Sequence, residues 1–456
     1  MKKNFTPYCF MKGIGIFSCT FPFSLLGATP VNEKLPNILL ILADDLGYGD
    51  LSCQGASDLR TPNIDRIFKE GMRFTNFYAN STVSSPTRAA LLTGRYPDMV
   101  GVPGVIRTNE DDSWGYLSPK AVLLPQMLKG AGYQTALIGK WHLGLEAPNL
   151  PNLRGFDFFH GFLGDMMDDY YTHLRQANNY MRLNENTVEP KGHATDIFTD
   201  WTLDYLDNLK SNSPFFLYLA YNAPHDPVQP PDDWLAKVKS REKGVSEKRA
   251  KLIALIEHLD WNIGKVLDKL QRSGLLENTL VIFTSDNGGV LANGANNGPF
   301  RGGKQDMYEG GLRVPAAFMW KNHIQPGSSF NGMALTMDIL PTLCNIANVQ
   351  PAGMLHGVSF RAALEGNPPD TSQRTVFFVR REGNMRYGGM AYYAALRNGY
   401  KILQNTPWEP MQAFDLKSDP AESNPLEKKG KEYDYLFRQL TRHIRESGAV
   451  PWQKEK

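Results

Sequence analysis

Two apolar runs that each end in acidic and amide residues constrain this chain most. Asn37–Ala43 (NILLILA) is continuously apolar, β-branched in part, and is followed at once by Asp44, Asp45, Leu46 and Gly47. Thr279–Thr284 (TLVIFT) is a second such run, followed by Ser285, Asp286 and Asn287. A run with no polar face belongs in a strand buried on both sides, which is the environment of a parallel sheet. Pro214–Tyr221 (PFFLYLAY) and Thr135–Gly139 read as further strands. Thr61–Glu70, Ser85–Thr93, Leu123–Ala131, Asp200–Leu209 and the charged, periodic Glu247–Leu270 read as helices. Strands alternating with helices predict an α/β fold, a large, mostly parallel sheet sandwiched by helices. Ligands in such sheets lie beyond the carboxyl ends of the strands, where the acidic clusters fall.

The texture changes after residue 350. Thr375–Val379, Ala391–Arg397, Lys401–Gln404 and Gln412–Leu416 are short strand candidates, and Tyr433–Glu446 reads as a closing helix. We therefore expect a main domain over 35–350 and a smaller C-terminal antiparallel sheet plus helix over 351–456. At the other end, Lys2, Lys3 and Lys12 precede an apolar stretch from Gly13 to Leu26 that ends in Gly27 and Ala28. That pattern reads as a secretory signal over 1–28, giving a periplasmic or secreted protein. Lipid attachment at Cys19 is the less favoured alternative, because Phe17 and Ser18 fit it poorly. With the leader removed only Cys53 and Cys344 remain. Their spacing suits no metal, and whether they pair is open. Near balance between 49 basic and 47 acidic residues argues against a nucleic-acid partner.

Asp44 and Asp45 after one strand, with Asp286 and Asn287 after its expected neighbour, would place three carboxylates and an amide at one sheet edge. Like charges that close are unfavourable without a cation. An all-oxygen donor set favours a hard ion, calcium or magnesium. Separate caps or turns would account for either pair alone. Ser84 stands at a loop-to-helix junction, where backbone N–H groups favour an anion. Arg88, one turn on, offers a guanidinium fork to tetrahedral oxyanions. The bland alternative is that Ser84 or Ser85 merely caps the helix.

The stretch from Ser84 to Gly94 (SSPTRAALLTG) closely resembles the maturation motif of the sulfatase family. Other pieces agree in order: Pro36–Asp50, Gly139–Gly144 (GKWHLG), Asn222–Pro227 (NAPHDP), Thr284–Gly289 (TSDNGG), Gly302–Pro315 and Phe414–Pro420. The resemblance implies the alkaline phosphatase-like architecture and sulfuric ester hydrolysis on a sulfated saccharide. It implies that Ser84 is converted to formylglycine (3-oxoalanine) by a radical iron–sulfur maturase, as in serine-type bacterial sulfatases. It also implies calcium held by Asp44, Asp45, Asp286, Asn287 and the modified Ser84, with Arg88, Lys140, His142, His225 and Lys304 around the sulfate.

The chemistry suits those residue types. Cations screen the approach of an oxygen nucleophile to an anionic ester. One hydroxyl of the hydrated aldehyde attacks sulfur to give a sulfo-enzyme. His225, with Lys304, protonates the leaving alcohol, and His142 assists the second hydroxyl in expelling sulfate. Other readings stay open: a phosphomonoesterase or phosphodiesterase of the same superfamily, or an unmatured glycan-binding protein. Lys140 could instead form a surface cation–π pair with Trp141, and His225 could be an ordinary loop histidine. Gly161–His173 either shapes the pocket through Asp168, Asp169 or His173 or is a plain polar loop. Neither the sugar, nor exo or endo action, nor the oligomeric state is written in the sequence.

Overall fold

The computed structural model describes residues 34–209, 213–382, 390–428 and 430–454; the leader reading of residues 1–28, with Cys9 and Cys19, lies outside them. Leu35–Lys456 forms one compact unit that holds both of the expected regions.

The main sheet has ten strands. In chain order they are β1 (Asn37–Ala43), β2 (Met72–Phe74), β3 (Gln134–Lys140), β4 (Phe158–Phe162), β5 (Met181–Leu183), β6 (Asn186–Thr187), β7 (Phe215–Ala220), β8 (Thr279–Ser285), β9 (Ala316–Met319) and β10 (Ser328–Phe330). Their spatial order is β10-β2-β9-β8-β1-β7-β3-β4-β5-β6. The five central strands, β8 to β4, are mutually parallel, and antiparallel pairings begin on either side of them. The fully apolar runs occupy this centre, as their lack of a polar face requires.

Alternate residues of β1 feed two separate cores. Ile38, Leu40 and Leu42 pack with helices α2 (Ser84–Thr93), α3 (Leu124–Gly130) and, late in the chain, α7 (Ile339–Ile346). Leu39, Ile41 and Ala43 pack on the opposite face with α1 (Pro62–Glu70), α4 (Ala194–Asp207), α5 (Asp232–Arg241) and α6 (Glu247–Arg272). Each such aliphatic side chain stabilises the fold by about 1.5–3 kcal/mol through burial. The predicted α/β sandwich is therefore the fold, with antiparallel strands at both flanks.

The C-terminal sheet is a meander of β11 (Thr375–Arg381), β12 (Ala391–Arg397), β13 (Tyr400–Gln404) and β14 (Gln412–Asp415). One face (Ala395, Ile402, Ala413) takes Leu436 and Leu440 of α8 (Gly430–Gly448). The other face (Val376, Phe378, Leu396, Phe414) packs on Tyr78, Ala90, Met307 and Leu312 of the main body. Cys53 and Cys344 do not pair: both are free thiols, the Cys53 backbone N–H donating to Asp65 Oδ1 and Cys344 packing on Met127. Among the described residues no helix is long and apolar enough to cross a membrane.

Candidate active site

β1 and β8 run parallel with Ala43 beside Ser285, so Asp44–Asp45 and Asp286–Asn287 leave the sheet at one point. The Asp286 N–H donates to Ala43 O (3.1 Å) and the Asp45 N–H to Asp286 Oδ1 (3.1 Å), stitching the pairs together. Asn287 Nδ2 donates to Asp45 Oδ1 (2.7 Å) and to Gly288 O (3.0 Å). The Asn287 Oδ1 is thereby turned toward Ser84, whose Oγ lies 3.4 Å away and donates to Asp44 Oδ1 at 3.1 Å.

Ser84 is the first residue of α2, not the residue before it, and its side chain caps nothing. Ser85 does not cap the helix either; its Oγ accepts from the Ile106 N–H at 3.0 Å. Arg88 is completely buried. Its Nε and Nη2 donate to Asp286 Oδ2 (3.2 and 2.9 Å), and its Nη1 donates to Lys140 O (3.2 Å). Lys140 ends β3 with its Nζ 2.5 Å from Asp44 Oδ2. The preceding Gly139 has φ 105°, and a Cβ there would stand 1.9 Å from Ala220 O, so only glycine carries the strand into this position. The surface pairing of Lys140 with Trp141 is not formed, because both side chains are fully buried and the indole donates to Asn149 O at 2.8 Å.

His142 Nε2 lies 2.9 Å from Ile106 O; a carbonyl only accepts, so this nitrogen carries the proton. Its Nδ1 is buried with no hydrogen-bond partner. His225 is fixed the opposite way round. Its Nδ1 donates to Asp226 O (2.8 Å), and its Nε2 meets Lys304 Nζ at 3.0 Å. Lys304 in turn donates to Asp45 Oδ2 at 2.8 Å. His225 thus faces the acidic edge, its Nε2 3.6 Å from Asp45 Oδ2. Ser84, His142, His225 and Lys304 line one cleft of about 530 Å³ together with Asp165 and Arg175.

Electrostatics follow from burial and crowding. Burial alone would raise the Asp44 carboxyl, but Lys140, His225 and Arg88 outweigh it and hold Asp44 below the usual range. Asp45 is likewise held low against burial, by Lys304 and His225. Asp286 goes the other way: burial and the neighbouring Asp44 raise it despite Arg88 and Lys140. His142 is pushed well below its ordinary value by burial, then by Lys140 and Arg88, so it is neutral. A carboxylate destabilised by its neighbour marks a place where added positive charge is welcome. Asp44, Asp45 and Asp286, with Asn287 Oδ1 and Ser84 Oγ, offer only oxygen donors there, which fits a hard divalent ion. A His225 nitrogen also lies within 4.8 Å of donor atoms of Asp44 and Asp45, but its Nε2 is engaged by Lys304 and its Nδ1 by Asp226 O.

All of the expected site residues (Asp44, Asp45, Ser84, Arg88, Lys140, His142, His225, Asp286, Asn287 and Lys304) meet in this one region. Of the two readings of the Gly161–His173 segment, pocket-shaping through Asp168, Asp169 or His173 is not what the structure shows. Asp168 pairs with Arg175, Asp169 accepts backbone N–H groups, and His173 bonds Gly192 O; none of the three lines the cleft. Asp165 and Arg175 line it instead, joined by two hydrogen bonds of 2.9 and 3.2 Å. Sequence reasoning missed this pair because it forms only when the hairpin following β4 folds back.

The fold and this edge of cations and carboxylates define a hydrolase of anionic esters. The chain belongs to the sulfatase family: residues 36–349 match the profile described as Sulfatase, and 301–449 match N-sulphoglucosamine sulphohydrolase, C-terminal. It is a sulfuric ester hydrolase. N-acetylgalactosamine-6-sulfatase of Mus musculus is 32% identical over 473 aligned residues, covering 92% of this chain and 88% of the relative. The crystal structure of Ps i-CgsB in complex with k-i-k-neocarrahexaose superposes with a TM-score of 0.83 at 30% identity, over 93% of this chain and 96% of that one. The phosphonate monoester hydrolase of Agrobacterium radiobacter shares the alkaline phosphatase-like fold (TM-score 0.65, 19% identity, 91% and 95% coverage).

Proposed function

We propose that this enzyme removes sulfate from a sulfated saccharide, using a formylglycine made from Ser84 and one calcium ion. The observation that carries the reading is the placement of Ser84 Oγ, 3.1 Å from Asp44 and 3.4 Å from Asn287, at the floor of a cleft that also holds His142, His225 and Lys304. Sulfated sugars enter through the relatives: one is an N-acetylgalactosamine-6-sulfatase, and Ps i-CgsB is solved in complex with k-i-k-neocarrahexaose.

Asp44, Asp45, Asp286, Asn287 and the side chain at position 84 would hold the ion. When present, the hydrated aldehyde supplies the oxygen nucleophile and calcium supplies positive charge beside it. The remaining work falls to the chain's own residues. Lys140, Arg88 and Lys304 bring three positive charges to an anionic ester and to the charge that develops on its oxygens. His225 Nε2, which accepts from Lys304 Nζ, can take that proton and pass it to the departing sugar oxygen. His142, neutral and with its Nδ1 lone pair free of any partner, accepts a proton when sulfate is released. We further propose export, with cleavage after Ala28, and maturation by a radical iron–sulfur enzyme acting on Ser84.

The test is mass spectrometry of the Ser84 peptide from protein produced with such a maturase, paired with sulfate release from a panel of defined saccharide sulfates that includes N-acetylgalactosamine 6-sulfate. Loss of two hydrogens at Ser84, in step with sulfate release, is expected. An intact serine in a protein that turns over phosphate esters briskly would overturn the reading in favour of a phosphatase.

A further inference from the structure

The Asp168–His173 stretch does not line the cleft, yet it is tied to the loop that presents His225. Tyr170 is almost completely buried, and its hydroxyl lies 2.9 Å from Asn222 O and 3.0 Å from His225 O. These two carbonyls bracket the tight turn in which the His225 N–H donates to Asn222 O at 2.9 Å. The phenol's one proton is shared between these two carbonyls at the ends of the turn, and one of them is the carbonyl of His225 itself. The phenol is in turn held from three sides. The Tyr170 N–H donates to Gln229 Oε1 (2.8 Å), Gln229 Nε2 donates to Asp169 Oδ2 (2.8 Å), and the Tyr170 ring stacks on His193 at 4.9 Å. His193 closes the ring by donating from Nε2 to Gln229 O at 3.0 Å. So much buried polar structure is costly to leave unsatisfied. Here it ties the backbone carbonyls of Asn222, His225 and Gln229 to Tyr170 and His193, and the Gln229 side chain to the Asp169–Tyr170 segment.

We propose that Tyr170 is a positioning residue for His225, setting the imidazole where it can protonate the leaving oxygen. The inference rests on the reading of His225 as the acid. A phenylalanine at position 170 keeps the ring and its stacking on His193 but releases the two carbonyls, so the turn gains freedom while the core stays filled. Displacement of a catalytic group by about an ångström costs roughly 100-fold, and general acid catalysis as a whole contributes roughly 100- to 10,000-fold. A partial release should therefore lower kcat about 10- to 100-fold, and only where the leaving group needs a proton.

The experiment compares matured wild type, Tyr170→Phe, His225→Ala and the double variant on phenyl sulfate and 4-nitrophenyl sulfate. The second releases an acidic phenol that departs without help. We expect Tyr170→Phe to lose kcat on phenyl sulfate by about 10-fold or more while changing little on 4-nitrophenyl sulfate, with KM unchanged on both. The double variant should be no slower than His225→Ala alone, since both changes act through one group. Equal losses on the two esters, or losses that multiply in the double variant, would overturn the proposal. If His225→Ala itself shows no dependence on the leaving group, the acid assignment fails; if only Tyr170→Phe shows none, the positioning role fails. Should Tyr170→Phe not fold, Gln229→Leu, which frees Tyr170 from its backbone anchor, must show the same ester dependence.

Discussion

Lys401 offers the sharpest test of how the C-terminal sheet serves the cleft. It lies on β13, fully buried, with Nζ 2.9 Å from both Glu309 and Glu422. The other Glu309 oxygen takes Arg313 at 2.7 Å and the Tyr78 hydroxyl at 2.9 Å, and Glu422 Oε2 accepts the Glu309 N–H at 2.6 Å. Two carboxylates thus face two cations inside the protein. At an effective dielectric constant of 20, each Lys401 contact is worth about 6 kcal/mol in Coulomb terms, most of it offset by desolvation. Removing one partner leaves a charge buried and unpaired, for which about 3–5 kcal/mol is the usual loss. We expect Lys401→Met to lose that much in urea unfolding. Glu309 ends the loop that carries Lys304, so kcat for sulfate release should fall about 10-fold as the loop loosens. Adding Glu422→Gln removes the orphaned charge and should restore at least about half of the lost stability. A single variant that loses less than about 1 kcal/mol, or a double no better than the single, would refute the charge argument.

Other outcomes follow from the same geometry. Gly288→Ala would set a Cβ 1.8 Å from Gly310 O, a backbone atom that cannot yield. We expect a loss of about 3 kcal/mol or no soluble protein, read by thermal melting. Chelation should lower the melting temperature, and calcium at 100 times its Kd should return about 2.7 kcal/mol; Asp286→Asn should abolish that increment, and a melting curve indifferent to calcium in the wild type would count against the ion. His193 is held at about 4 by burial and then by His258, below its ordinary 6.5. The folded state therefore binds this proton more weakly than the unfolded chain. Its contribution, on the order of 3 kcal/mol, is complete above pH 6.5 and drains away as pH falls toward 4. Urea titrations across that window should show the slope, and His193→Gln should flatten it.

Much of this site is legible in sequence because its key groups follow directly on apolar runs. Asp44 and Asp286 directly follow strands whose all-apolar character announces a parallel centre, and Ser84 through Gly94 is a contiguous motif. What escapes is short or depends on distant partners. Met72–Phe74, Ala316–Met319 and Ser328–Phe330 are strands of three or four residues, too brief for alternation to register. Ile339–Ile346 is only eight residues long and buried at all but one position, too short a stretch for a helical period to be read. The helix expected from Asp200 begins six residues earlier, at Ala194, because His193 caps it by accepting the Thr195 N–H, a role usually filled by serine or aspartate. Tyr170 reads as one aromatic among many, since its importance lies in two carbonyls more than fifty positions away.

The burial of Ser84 carries a consequence about timing. In the finished molecule the residue is 3% exposed and is closed over from one side by Asn287, which follows it by 203 positions. A second enzyme cannot bring its own active centre around a side chain so enclosed. Any oxidation of Ser84 must therefore happen on the nascent or still-open polypeptide, before the strand that delivers Asn287 has docked. If Ser84 is matured as proposed, protein that completes folding with an intact serine should be beyond rescue by later exposure to such an enzyme, unless it is first unfolded.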